Sequence, residues 1–158
     1  MAKKISIPLE LKYDFAMRGY ASFVAGILHA IREKYGSAEA LEMYERALTI
    51  GDRIKILINR LLTIFKIEGN DAEAIAKWWD IWFELCGIEV TWLERESLNV
   101  RGKVTKCPWK IELRELSDRC SIFNNLVIKT INPKATFERP KGMCAGDPYC
   151  EFVTKIEE

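Results

Sequence analysis

At Gly87 the spacing of apolar residues changes from every third or fourth position to every second, and no other feature of the sequence constrains the fold so strongly. Upstream the pattern is helical. Downstream it is that of half-buried strands, so the chain has to lay helices against a sheet. From Leu9 to about Tyr35, after Pro8, the residues Phe15, Tyr20, Phe23, Val24, Ile27, Leu28 and Ile31 recur at helical spacing. Gly36 ends this helix. Ser37 is an N-cap for the next one, which begins at Ala38 with Glu39 and Glu42 in its first turns. That second helix passes Leu41, Tyr44 and Leu48, breaks or kinks at Thr49-Ile50-Gly51, and continues through Ile54, Leu57, Ile58 and Leu61 to Phe65. Gly69-Asn70-Asp71 caps a third helix, Ala72 to about Cys86.

Beyond Gly87, Ile88, Val90 and Trp92 alternate with Glu89, Thr91 and Leu93 in a first strand, and Leu98 to Thr105 forms a second. Cys107-Pro108-Trp109 closes the pair. A fourth helix is expected from about Lys110 to Ile131, with Leu113, Leu116, Cys120, Phe123, Val127 and Ile131 on one face. Asn132-Pro133 ends it, because the residue before a proline is pushed out of the helical region. Strands at Ala135 to Arg139 and Cys150 to Ile156 then flank the turn Gly146-Asp147-Pro148, and Cys150, Phe152 and Ile156 share one face of the last. The order helix, helix, helix, strand, strand, helix, strand, strand is that of an α+β fold, an antiparallel sheet covered on one side by helices. With 158 residues, 49% of them hydrophobic, the chain is read as one domain, its helical part at 1–86 and its sheet part at 87–158.

Charge and cysteine content narrow the function classes. The 24 basic residues nearly balance the 23 acidic ones, which argues against nucleic acid or an acidic membrane surface as partner. Neither a signal peptide nor a run of apolar residues of spanning length is present, so a cytoplasmic, soluble protein is expected. The five cysteines, an odd number without an export signal, favour reduced thiols, metal ligands or core cysteines over a disulfide framework.

Few residues carry chemistry. Trp78 and Trp82 fall on one face of the third helix with Cys86. Such a stripe fills a core or, in part, lines a pocket for an apolar or aromatic ligand, together with Trp92 and Phe123. His29, the single histidine, stands beside the apolar stripe of the first helix, and could orient a polar group of a ligand if it faced the pocket. Asp147 lies between Cys144 and Cys150, as a catalytic candidate or as a turn residue bonding its own backbone. Cys120 is placed facing inward. Cys144 and Cys150, on either side of the turn, can bind a metal, bridge to each other or pack. Over a continuous helix Cys107 and Cys120 would stand about 20 Å apart, which makes a Cys120, Cys144, Cys150 set easier than a four-thiol one.

The run Gly142-Met143-Cys144-Ala145-Gly146-Asp147-Pro148-Tyr149-Cys150-Glu151-Phe152, following Cys120, resembles the C-terminal signature of the 4-vinyl reductase domain family. With Cys107-Pro108 and Asn132-Pro133 it is also similar to L-2-aminothiazoline-4-carboxylate hydrolase-like proteins. The resemblance spans roughly residues 80–158. It implies a compact ligand-binding-domain-like fold, shared with haem-nitric-oxide-binding relatives and a vesicle-tethering subunit. It further implies a structural zinc on cysteines matching Cys120, Cys144 and Cys150, beside a pocket for a small aromatic molecule. The glutamate that completes the family's ligand set is replaced here by Lys141, which leaves Cys107 as the candidate fourth ligand.

Two functions follow as expectations. One is a sensor or carrier domain binding a small apolar or aromatic molecule, with zinc as a structural cofactor. The alternative is a small C–N hydrolase acting on a thiazoline or cyclic amidine, with Cys120 or a metal-bound water as nucleophile. A homodimer through the first two helices is a further expectation.

Overall fold

The structure, a computed structural model, describes residues 8–110 and 114–157. Five α-helices and four strands are present among them: α1 (Leu9–Tyr35), α2 (Ser37–Thr49), α3 (Arg53–Ile64), α4 (Ala72–Cys86), β1 (Glu89–Arg95), β2 (Asn99–Lys106), α5 (Arg119–Ile131), β3 (Ala135–Lys141) and β4 (Cys150–Ile156). All strand pairs are antiparallel, in the order β1-β2-β4-β3. The chain is the α+β fold that its change of period requires.

Helix boundaries follow from local chemistry. The break in the second helical stretch lies at Ile50–Asp52, where Gly51 and Asp52 are both left-handed (φ 66° and 52°) and separate α2 from α3. Ser37 is the first residue of α2 and makes no capping bond; the turn into the helix is made by Gly36. Asp71 is a true N-cap, its carboxylate accepting from the Ala74 N–H at 2.8 Å.

The fourth predicted helix starts late. Residues 107–110 form a turn closed by Lys110 N–H to Cys107 C=O, Arg114–Leu116 is a single 3₁₀ turn, and α5 begins only at Arg119. Leu116 leaves the face shared with Phe123 and is buried with Leu28 and Ala40 under α1 and α2, which holds this segment away from the α5 axis. Leu113, expected on that face, lies outside the described residues.

Two cores result. The main one joins Ile58 and Leu61 of α3, Ile75, Trp78, Trp79 and Phe83 of α4, Val127 and Ile128 of α5, and Val100, Val104 and Phe152 from the sheet. Its centre is aromatic. Phe152 stands edge-on to Trp79 (4.8 Å between ring centroids), Trp92 (5.6 Å) and Phe83 (6.0 Å). Gly102, directly across the β2–β4 ladder, leaves room for that ring: a Cβ there would stand 2.6 Å from Phe152 Cε1. The sheet's outer face is polar, with Glu151 buried beneath Arg101 and Lys141.

Candidate functional site

Between the two cores lies a cavity of about 320 Å³, within the size range of small-molecule pockets. The second core keeps α1 and α2 off the sheet, and the gap is walled by side chains from nearly every element. Trp82 and Phe83 of α4, Phe123 of α5, Phe137 of β3 and Phe152 of β4 form an aromatic wall, closed by Tyr20, Val24, Tyr44, Leu48, Ile54, Leu57 and Trp109. Tyr20 meets Trp109 edge-on at 5.3 Å.

One part of the lining is polar, where Arg119, Arg139, Asn124, Cys107, Cys120 and Cys150 reach the cavity. Arg119, the first residue of α5, is only 3% exposed. Its Nη2 donates to the Trp109 carbonyl and reaches Cys144 Sγ at 3.7 Å, while its Nε finds no partner. The Arg139 side chain is 9% exposed; Nη2 lies 3.5 Å from Asp118 Oδ1, and Nε and Nη1 are unpaired. Arg139 lies under Gly142, where a Cβ would stand 3.0 Å from its Cζ; at φ −143° that position is a glycine for space rather than for backbone conformation. Tyr44, within electrostatic reach of Arg119, is kept protonated by burial, which pushes its phenol up to about 12.

The late start of α5 brings the hairpin sulfurs and Cys107 near Cys120. Cys120 hydrogen-bonds with Cys144, which, with burial, raises its thiol well above the ordinary range. Burial pushes Cys107 up to about 11 and raises Cys150, and the two also feel Cys144. The nearby guanidiniums pull the other way, and burial wins. None of the five cysteines is joined in a disulfide. The Met143 N–H donates to Cys150 Sγ at 3.2 Å.

Zinc is implied by the resemblance, and these residues do not fit it as they stand. Among the described residues no three cysteine, histidine or carboxylate side chains are grouped to hold a metal ion. Arg119 also sets a cation against the Cys144 sulfur. Lys141, at the family's glutamate position, points to the outer face and pairs with Tyr149 and Glu151.

Of the expected ligand-binding residues, Trp82 and Phe123 line the cavity and three others do not. Trp78 is fully buried, stacked on Trp82 at 5.5 Å. Trp92 is held in the α4–β1 contact, its Nε1–H donating to Asp80 at 2.8 Å, with Arg95 bridging Asp80 and Glu73 alongside. His29 sits on the outer side of α1, its side chain 44% exposed, 3.6 Å from Glu33. Asp147 is a turn residue, accepting from the Gly142 N–H at 2.8 Å, which accounts for its carboxylate without catalysis. Sequence reasoning missed Phe83, Phe137 and Phe152 of the aromatic wall and the two arginines. Phe152 has a signal, since it alternates onto one face of its strand with Cys150 and Ile156; the arginines have none.

No family model and no curated protein matches the chain. Among solved structures it is similar to a trafficking protein particle complex subunit 3 from Naegleria fowleri, covalently bound to palmitic acid (TM-score 0.65, 16% identity, covering 91% of this chain and 96% of that one). It is also similar to the phenol-responsive sensory domain of the transcription activator PoxR with phenol (TM-score 0.59, 9% identity, 89% and 74% covered). At these identities the likeness is one of fold, and membership of the 4-vinyl reductase family is not established by it. The chain therefore shares an α+β fold with a palmitate-bound trafficking complex subunit and a phenol-responsive sensory domain.

Proposed function

We propose that this chain is a small-molecule-binding domain of sensor or carrier type, taking an apolar or aromatic molecule into the cavity between α1–α3, α5 and the sheet. The observation that carries the reading is the wall of Trp82, Phe83, Phe123, Phe137 and Phe152 around about 320 Å³ of space. Structures of the same fold holding palmitate and phenol support it. The reading needs no metal and no turnover.

Binding is tested by titrating the whole protein with phenol and with medium-chain alcohols, read by tryptophan fluorescence and calorimetry. Saturable binding is expected, together with its loss in the cavity-filling variant Leu57→Trp at an unchanged melting temperature. Absence of saturation with every probe, or equal binding to the filled variant, would overturn the reading.

The hydrolase alternative draws less from the geometry. Cys120 is held as a neutral thiol, the reverse of what a nucleophilic cysteine needs, and His29, paired with Glu33, is not among the residues lining the cavity. Turnover of a thiazoline that Cys120→Ala abolishes would restore it.

A further inference from the structure

Two guanidiniums face the same apolar cavity with N–H groups that meet no partner among the described residues. The cost of burying a cation is recovered only by a counter-ion or by complete hydrogen bonding. Among the described residues Arg119 has neither, its Nε being unpaired and its Nη2 spent on a carbonyl and a thiol. Arg139, among the same residues, makes one ion pair, a 3.5 Å approach to Asp118, a side chain 73% exposed, and two of its nitrogens remain unpaired. The neighbouring cysteines do not balance these charges, because their thiols are neutral. The space at Gly142 is given over to the Arg139 guanidinium.

Resting on the small-molecule reading above, we propose that the ligand is an amphiphilic acid whose carboxylate sits between Arg119 and Arg139 while its apolar body lies along the aromatic wall. Guanidinium N–H forks match a carboxylate's paired oxygens, and the Tyr44 hydroxyl near Arg119 is a further donor. An uncharged ligand would leave Arg119 without an anion and Arg139 with the exposed Asp118 carboxylate alone.

Matched probes test this on the whole protein: octanoate against octanol, and benzoate against benzyl alcohol. Each acid is expected to bind at least tenfold more tightly than its alcohol, about 1.4 kcal/mol. Arg119→Met and Arg139→Met should each erase that preference, the acid losing about tenfold and the alcohol, which has no charge to pair with the guanidiniums, losing less. Arg139→Met should melt no lower than the parent without ligand, since it removes an uncompensated charge; a merely structural arginine would destabilise when removed. Should Arg119→Met fail to fold, Arg119→Lys, which keeps the charge but loses the fork, gives the same comparison. Acid and alcohol binding alike, or an acid preference that survives the substitutions, overturns the acid and leaves the pocket. No binding by either class overturns both.

A separate observation concerns α1. Leu9, Tyr13, Ala16, Tyr20, Phe23 and Ile27 follow one another at alternating steps of four and three, the period of a coiled-coil seam, and all are exposed. The sequence of this seam reads nearly the same in both directions. About an axis at residue 18, Leu9 meets Ile27, Tyr13 meets Phe23 and Ala16 meets Tyr20, so it complements an antiparallel copy of itself.

We infer that α1 pairs antiparallel with α1 of a second copy. Sedimentation at tens of micromolar should give twice the chain mass for the parent and a monomer for Phe23→Glu, a position away from the cavity lining. Adding Tyr13→Lys to Phe23→Glu sets opposite charges across an antiparallel seam and should restore the dimer; in a parallel seam it sets like charges together. A monomeric parent, or a dimer unaffected by Phe23→Glu, overturns the inference.

Discussion

Replacing Gly102 by alanine adds one methyl group in the middle of β2, and the structure says what it meets. The new Cβ would lie 2.6 Å from Phe152 Cε1, well inside van der Waals contact. The ring would have to retreat by about 1 Å to reach ordinary carbon–carbon separation. It has little room to do so, with Trp79 at 4.8 Å, Trp92 at 5.6 Å and Phe83 at 6.0 Å around it. Overpacking of this kind costs about 1–3 kcal/mol. For a domain of this size that lowers Tm by roughly 2–4 °C per kcal/mol. Urea denaturation of Gly102→Ala, Phe152→Leu and the double variant isolates the clash. Leucine is shorter than the ring and makes room for the methyl, so the double variant should lose less than the two single losses together, by about 1 kcal/mol or more. Additivity within about 0.5 kcal/mol, or a Gly102→Ala as stable as the parent, would refute the clash as the reason for glycine here.

The thiols make stability fall in alkali. Burial pushes Cys107 up from 9.0 to about 11 and raises Cys86 in the same direction, so the unfolded chain loses these protons first. Stability is full below about pH 9 and declines from there through about pH 11, by about 2–3 kcal/mol for Cys107; equal urea midpoints on both sides of this window would contradict it. Asp71→Ala removes the cap of the tryptophan helix and should cost about 1 kcal/mol, with Asp71→Asn or Asp71→Ser recovering most of it in the same denaturation assay. Asn132→Ala breaks two bonds of 2.8 Å, one donated to the Asn70 carbonyl and one accepted from the Lys134 N–H, and should cost about 1–3 kcal/mol. Hydrogen exchange should quicken at the amides around residues 70–72, because that loop loses its tie to the end of α5.

Much of this architecture is written locally. Alternation from Ile88 onward, the left-handed pair at Gly51 and Asp52 and the proline after Asn132 each act on neighbouring backbone, so element types and most boundaries follow from short stretches of chain. The inward placing of Trp82, Phe123 and Cys120 is legible for the same reason, since a helical period assigns a face. The start of α5 was not legible. Apolar spacing continues upstream of it, but burial of Leu116 against Leu28 and Ala40, far away in sequence, makes Arg114–Leu116 a separate 3₁₀ turn. That departure brings Cys107 to the cavity and sets Arg119 at a helix start instead of mid-helix.

The arginines mark the limit most sharply. In sequence an arginine reads as a solvent-facing residue, because burying its charge alone is too costly for local pattern to suggest it. Arg119 is buried, and the Arg139 side chain nearly so, because α5, β3 and the hairpin converge on them. The sequence by itself determined that helices would cover one face of an antiparallel sheet. Which charges that covering would trap, and that they would face an apolar cavity, was decided by long-range packing alone.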